Sequence, residues 1–142
     1  MIKVLYFLNS KVRGGVEEHV LSILEKVDRT QFEPVVACPQ ELIDLMRDEL
    51  IAWKVRSHAI SIVSWFNIGE VRKFKKLIEE EQPQIVHSHL FKATMFAALL
   101  SKRVNRGVRV VDTAHIREAW RKGIKKTFFI DRFIYKYVDR VI

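Results

Sequence analysis

The sequence has a single cysteine, Cys38, in 142 residues. That excludes an intrachain disulfide and a cysteine-based zinc finger. Long apolar runs are also missing. The longest, Met95 to Leu100, falls far short of the roughly 18 residues that cross a bilayer. No secretory leader is evident: Lys3 precedes only Val4 to Leu8, and Asn9, Ser10 and further charge follow. These absences predict a cytoplasmic chain. Internal repeats, low-complexity stretches and an internal linker are absent too, which predicts one domain. Neither a G-x-G-x-x-G fingerprint nor a G-x-x-x-x-G-K-[ST] loop occurs.

What is present is globular in composition, 49% hydrophobic and 30% charged. A chain of this size can bury roughly two thirds of its unfolded surface. Lys and Arg number 25 against 17 Asp and Glu, a net charge of +8. Such a balance invites an anionic partner, whether phosphate, nucleic acid or an anionic membrane surface.

Apolar periodicity then switches repeatedly between strand and helix. Val4 to Leu8 is a short continuous run, suited to a strand covered on both faces. A turn with two adjacent glycines follows, from Ser10 to Gly15. Val16, Val20, Leu21, Ile23, Leu24 and Val27 then recur at helical spacing, with Glu17, Glu18 and Glu25 between them. Pro34 to Cys38 is a second strand, Glu41 to Trp53 a helix, and Lys54 to Ile60 a third strand. A charged helix spans Gly69 to Glu81 and ends before Pro83. Ile85 to His89 is a fourth strand, Ala93 to Val104 a largely apolar helix, and Val108 to Asp112 a fifth strand. A basic-aromatic helix is expected from about Arg117 to Val138, and Val141-Ile142 opens a sixth strand. This alternation predicts an α/β fold: a Rossmann-like parallel sheet flanked by helices, with right-handed crossovers.

Ligands of such sheets bind beyond the carboxyl ends of the strands. Three segments land there with chemistry to offer. Arg13-Gly14-Gly15 opens a helix, where glycines allow close approach and free N–H groups favour an anion. With Lys11 and Arg13 it suits a phosphate or diphosphate, or it is a tight turn with solvated basic residues. His87 and His89 stand two apart on a strand, so both face one side. They could share a ligand or a metal, or pack and hydrogen-bond at the strand end. His115 follows Asp112-Thr113-Ala114, where an imidazole can stabilise charge or bind a hydroxyl. Asp112 and Thr113 could orient it, or cap the next helix. His19 and His58 receive no role.

The segment from Arg117 to Arg140 carries eight basic residues against three acidic ones. Trp120, Ile124, Phe128, Phe129, Ile130, Phe133, Ile134 and Tyr137 are interleaved. It reads as an amphipathic helix packed on the sheet with a basic outer face, or as a surface for anionic lipid headgroups. No DNA- or RNA-binding motif accompanies the charge, so nucleic acid is not the expected partner.

Taken together, Lys3 to Phe7, Gly14-Gly15-Val16-Glu17-Glu18-His19-Val20, Ile85 to His89, Val110 to His115 and the closing Val138 to Ile142 resemble the N-terminal domain of family 4 glycosyltransferases. Those enzymes have the two-domain GT-B architecture, and the resemblance covers essentially the whole chain. It implies sugar transfer from a nucleotide-sugar donor to a glycan or lipid-linked acceptor, with retention and without a metal or other cofactor. By position, Gly14 and Gly15 would approach the donor diphosphate and His115 would lie near the reacting sugar. Arg13, His89 and Thr113 would line the acceptor side. The family's second domain, which holds the nucleotide sugar, has no counterpart between Met1 and Ile142. The chain alone is therefore expected to be inactive, with an uncovered sheet edge that favours self-association. Peripheral contact with an anionic membrane would suit the basic-aromatic helix.

Two other readings compete. A metal-dependent hydrolase could be built on His87, His89, His115 and Asp112, whose ligand types suit zinc. A non-enzymatic binding module could use the basic-aromatic helix on an anionic membrane or nucleic acid.

Overall fold

The computed structural model describes residues 1–62, 67–113 and 132–142. Its elements alternate. β1 (Ile2–Leu8), α1 (Gly15–Lys26), β2 (Phe32–Cys38), α2 (Gln40–Leu45), α3 (Arg47–Ala52) and β3 (Arg56–Ala59) form the first half. α4 (Ile68–Glu81), β4 (Ile85–His89), α5 (Phe91–Phe96), a π-helical turn (Ala97–Ser101), α6 (Lys102–Val104), β5 (Arg109–Thr113) and β6 (Arg140–Val141) follow. The six strands make one sheet in the order β3-β2-β1-β4-β5-β6, and every pairing is parallel. This is the Rossmann-like arrangement expected of the first half of a GT-B architecture.

Side chains of a strand alternate between faces, and both faces of this sheet are covered. Val4, Tyr6 and Leu8 pack with Val20, Leu21 and Leu24 of α1, with Leu42 of α2 and Leu50 of α3, and with Met46 between those two helices. Leu5, Phe7, Val35, Val86 and Val110 face the other way, against Phe74, Leu77 and Ile78 of α4 and Phe96 of α5. The continuous apolar reading of β1 follows from this double burial.

Several boundaries differ from the sequence pattern, each for a local reason. The single helix expected over Glu41 to Trp53 is two, because Met46 leaves helical geometry (φ −111°, ψ 11°). On a straight helix Leu42, Met46 and Leu50 would drift by about 40° per step around the axis. The break at Met46 interrupts that drift, and all three side chains are buried. The third strand is shorter than Lys54 to Ile60, since Lys54 has φ 53° and cannot lie in a strand. The helix expected from Ala93 to Val104 begins at Phe91 and contains the π-helical turn. Glu17 was expected on the solvent side, yet it is buried. Its Oε2 accepts from the Gly14 amide at 2.9 Å, so it closes the start of α1. The helix expected over Arg117 to Val138 lies largely outside the described residues, and within them residues 135–138 are turn rather than helix.

Cys38 ends β2 fully buried. Burial, aided by the Glu17 carboxylate, pushes its thiol up to about 12. The thiolate is the reactive form. The native chain should therefore resist Ellman's reagent at about pH 8 and react fully once unfolded in guanidinium. Labelling of the native chain at the unfolded rate would show that this strand end opens.

Candidate functional site

The register of the central strands sets the site. Leu8, His89 and Thr113 lie side by side at the carboxyl ends of β1, β4 and β5. One pair earlier, Tyr6, His87 and Val111 are aligned in the same way. His87, His89 and Thr113 thus share one face of the sheet, as their spacing predicts.

On that face the rings form a ladder. His87 Nε2 and Thr113 Oγ1 share a 2.7 Å hydrogen bond. The His87 and His89 ring centroids are 4.4 Å apart, and Tyr6 lies 5.4 Å from the first and 6.4 Å from the second. His19, from the second turn of α1, meets His89 edge-on at 6.2 Å. His89 is fully buried, His87 half-buried and His19 exposed, so the ladder runs from the interior to the surface. Burial pushes the Tyr6 phenol up despite the opposing charge of Arg29, which keeps it a neutral hydroxyl at physiological pH.

The glycine turn stands at the same edge. Gly14 precedes α1 in extended geometry, and its carbonyl accepts from the Glu18 amide at 2.9 Å. A Cβ on Gly15 would meet no heavy atom within 4 Å. Nothing in the fold therefore requires a glycine at that position, and its face is open to a ligand. Arg13 beside it is ion-paired to Glu18 at 2.5 Å and Glu49 at 2.7 Å, and donates to the Leu45 carbonyl at 3.1 Å. Lys11 pairs with Glu41 at 2.7 Å. As exposed, solvent-screened pairs they add little to stability. Their consequence is geometric, because they tie the turn to α2 and α3.

A strained residue adjoins the ladder. Leu90 follows His89 with φ 73°, unusual for a branched side chain. Its carbonyl accepts from the Thr94 amide at 3.0 Å. Asp112 accepts from the Thr94 hydroxyl at 2.6 Å and from the Tyr135 hydroxyl at 2.9 Å. Asp112 therefore lies on the sheet face opposite the histidines and ties β5 to the β4–α5 turn.

Of the residues singled out from sequence, Arg13, Gly14, Gly15, His89 and Thr113 come to the same sheet edge. Arg13 is turned toward α3 rather than toward the histidines. His115 lies outside the described residues. The hydrolase reading loses Asp112 to the opposite face. Among the described residues, no group of three or more His, Cys, Asp or Glu is placed to hold a metal ion. His58 stands away from this site, paired with Glu81 at 2.8 Å. The residue missed was His19. Its signal was its spacing: four residues beyond Gly15, it returns to the same side of α1.

Residues 13–142 match the family model described as Glycosyltransferase Family 4. No curated protein matches the chain. Among solved structures, HepE from Anabaena, in complex with UDP and glucose, is 14% identical with a TM-score of 0.73 over 99% of this chain and 37% of its own. MurG from Acinetobacter baumannii is 10% identical with a TM-score of 0.67, over 98% of this chain and 40% of its own. The UDP co-structure of MnaA from S. aureus is 14% identical with a TM-score of 0.65, over 100% of this chain and 39% of its own. At these identities the likeness is one of fold. The chain spans about two fifths of the length of these neighbours.

Proposed function

Since the chain belongs to Glycosyltransferase Family 4, we propose that it is the acceptor-side domain of a retaining glycosyltransferase. The parent enzyme moves a sugar from a nucleotide-sugar donor to a glycan or lipid-linked acceptor, in the cytoplasm and without a metal. A second domain supplies most of the donor site. The observation that carries this reading is the Gly14-Gly15 turn at the start of α1, open at Gly15 and set at the same sheet edge as His89 and Thr113. Backbone N–H groups at a helix start are suited to a diphosphate, and the +8 charge draws anions toward the domain. The solved structures of similar fold that hold UDP make a nucleoside diphosphate the natural first ligand to try.

Catalysis in such a site is positioning plus stabilisation of the departing diphosphate. The turn would meet the diphosphate, and His115 would lie near the reacting sugar. His89 and Thr113 would hold the acceptor, with the His87–Thr113 hydrogen bond fixing the Thr113 hydroxyl. Among the described residues no helix is long and apolar enough to cross a membrane. The stretch assigned to lipid headgroups, Arg117 to Val138, falls mostly outside the described residues.

The test is a screen of nucleotide sugars against a panel of glycan and lipid-linked acceptors, run on this chain and on the chain extended to the length of its neighbours. Transfer is expected only from the extended chain, and should fall about 10²- to 10³-fold in the His115→Ala variant. Turnover by the 142-residue chain alone would overturn the two-domain reading. Hydrolysis without transfer would favour a hydrolase.

A further inference from the structure

Two residues break local rules beside the acceptor-side pair His89 and Thr113. Leu90, which follows His89, has φ 73° and ψ 144°, a conformation that L side chains rarely adopt. It is also the N-cap of α5, where a leucine offers no capping oxygen. Asp112, which precedes Thr113, is 3% exposed and has no ion-pair partner among the described residues. A buried carboxylate without a cation is destabilising unless hydrogen bonds satisfy it.

One side chain joins the two. The Thr94 hydroxyl is buried and has a single proton, which it donates to Asp112 Oδ1 at 2.6 Å. The Thr94 amide donates to the Leu90 carbonyl at 3.0 Å. Asp112 Oδ2 takes its bond from the Tyr135 hydroxyl at 2.9 Å. β4 and β5 are in register here, with Ser88 opposite Asp112 and His89 opposite Thr113. The chain Leu90–Thr94–Asp112 therefore pins the start of α5 to the end of β5, next to both His89 and Thr113. Folding alone gains nothing from a leucine in this geometry, since glycine would adopt it without strain. Strain and a buried charge kept together at the edge of a site point to a required geometry.

We propose that Thr94 and Asp112 are positioning residues for the acceptor. They hold Leu90 at positive φ, and through it keep His89 and the turn after it in the arrangement that receives the acceptor. The proposal rests on the transferase reading and adds to it two residues that touch no substrate.

Two measurements test it. In the 142-residue chain, isotope-labelled histidine reports His89 through the NMR resonance of its ring, with no donor or acceptor present. Thr94→Val keeps the shape of the side chain and removes its hydroxyl, so the His89 resonance should move. Adding Leu90→Gly should return it, because glycine keeps a positive φ without the hydroxyl bond. Adding Leu90→Ala should not, because the Cβ remains. If Thr94→Val alone does not fold, the double variant with glycine should fold and the one with alanine should not. In the extended chain, Thr94→Val reduces the fraction of molecules poised to bind. The acceptor's KM should therefore rise about tenfold at unchanged kcat. A general loss of folded protein would lower kcat instead. An unmoved His89 resonance, rescue by glycine and alanine alike, rescue by neither, or an unchanged acceptor KM would each overturn the positioning role. An extended chain that transfers no sugar, with the His89 pattern as expected, would overturn the transferase reading and leave the lock on Leu90 standing.

Discussion

Glu81→Gln is expected to lower the unfolding free energy by about 2–3 kcal/mol at neutral pH without changing ligand binding. Glu81 closes α4 and is only 5% exposed. Two cations and an imidazole from two strands converge on it: Lys3 of β1 at 3.2 Å, and Arg56 and His58 of β3 at 2.9 and 2.8 Å. Arg56 also pairs with Glu33 of β2. Removing one partner of a fully buried pair costs about 3–5 kcal/mol. The lower figure is expected here because Lys3, Arg56 and His58 are 22%, 52% and 33% exposed and recover some hydration. Burial raises the Glu81 carboxyl, but His58, Lys3 and Arg56 outweigh it and hold the group below its ordinary value. A carboxyl depressed in the folded state stabilises fully above its unfolded value, near 4.3, and loses that contribution as pH falls through the folded value. The wild type should therefore lose its advantage over Glu81→Gln below about pH 4. Urea unfolding at several pH values reads this directly, as a shift of midpoint at unchanged slope. A constant gap between the two proteins from neutral pH down to acid would show that the ionised carboxylate contributes nothing. The cluster sits at the amino ends of the strands, so ligand affinity at the opposite edge should hold in the variant.

What the sequence discloses is mostly what periodicity discloses. The double-sided burial of β1 is legible in Val4 to Leu8, and the shared face of His87, His89 and Thr113 follows from strand parity and register. Features that depend on one residue's backbone are not legible. Lys54 and Leu90 adopt positive φ though neither is glycine or asparagine, and Met46 breaks a helix although its own propensity is good. Glu17 reads as a solvent-facing charge until its contact with the Gly14 amide is seen. Asp112 looks like a partner for a histidine because it precedes one by three residues, yet parity turns it to the opposite face, toward Thr94 and Tyr135. The ion-pair hub on Glu81 joins residues up to 78 apart in sequence, beyond the reach of any local pattern. His19 lay in plain view in the sequence. Its relation to His89 depends on how α1 crosses β4, which periodicity does not give.

Gly15→Ala should separate folding from function more sharply than any other single change. Gly15 is the first residue of α1, with negative φ and no heavy atom within 4 Å of a Cβ built on it. Alanine there restricts the unfolded chain and meets no obstacle in the folded one, so stability should rise by about 0.4–1 kcal/mol. If a diphosphate is to approach the start of α1, however, the added methyl stands in the open space it needs. Displacing a bound group by about 1 Å can cost about 10²-fold in rate. The expected result is an extended chain that melts slightly higher and transfers sugar about 10²-fold more slowly, most of it in the donor's KM if contact is made before reaction. Gly14→Ala provides the contrast. Its Cβ would come within 3.3 Å of Glu17 Oε2 and disturb the contact that closes α1, so stability and activity should fall together. Unchanged activity in Gly15→Ala would mean that the turn only begins a helix. The diphosphate would then have to be held elsewhere, and the anion affinity of this domain would rest on its diffuse positive charge alone.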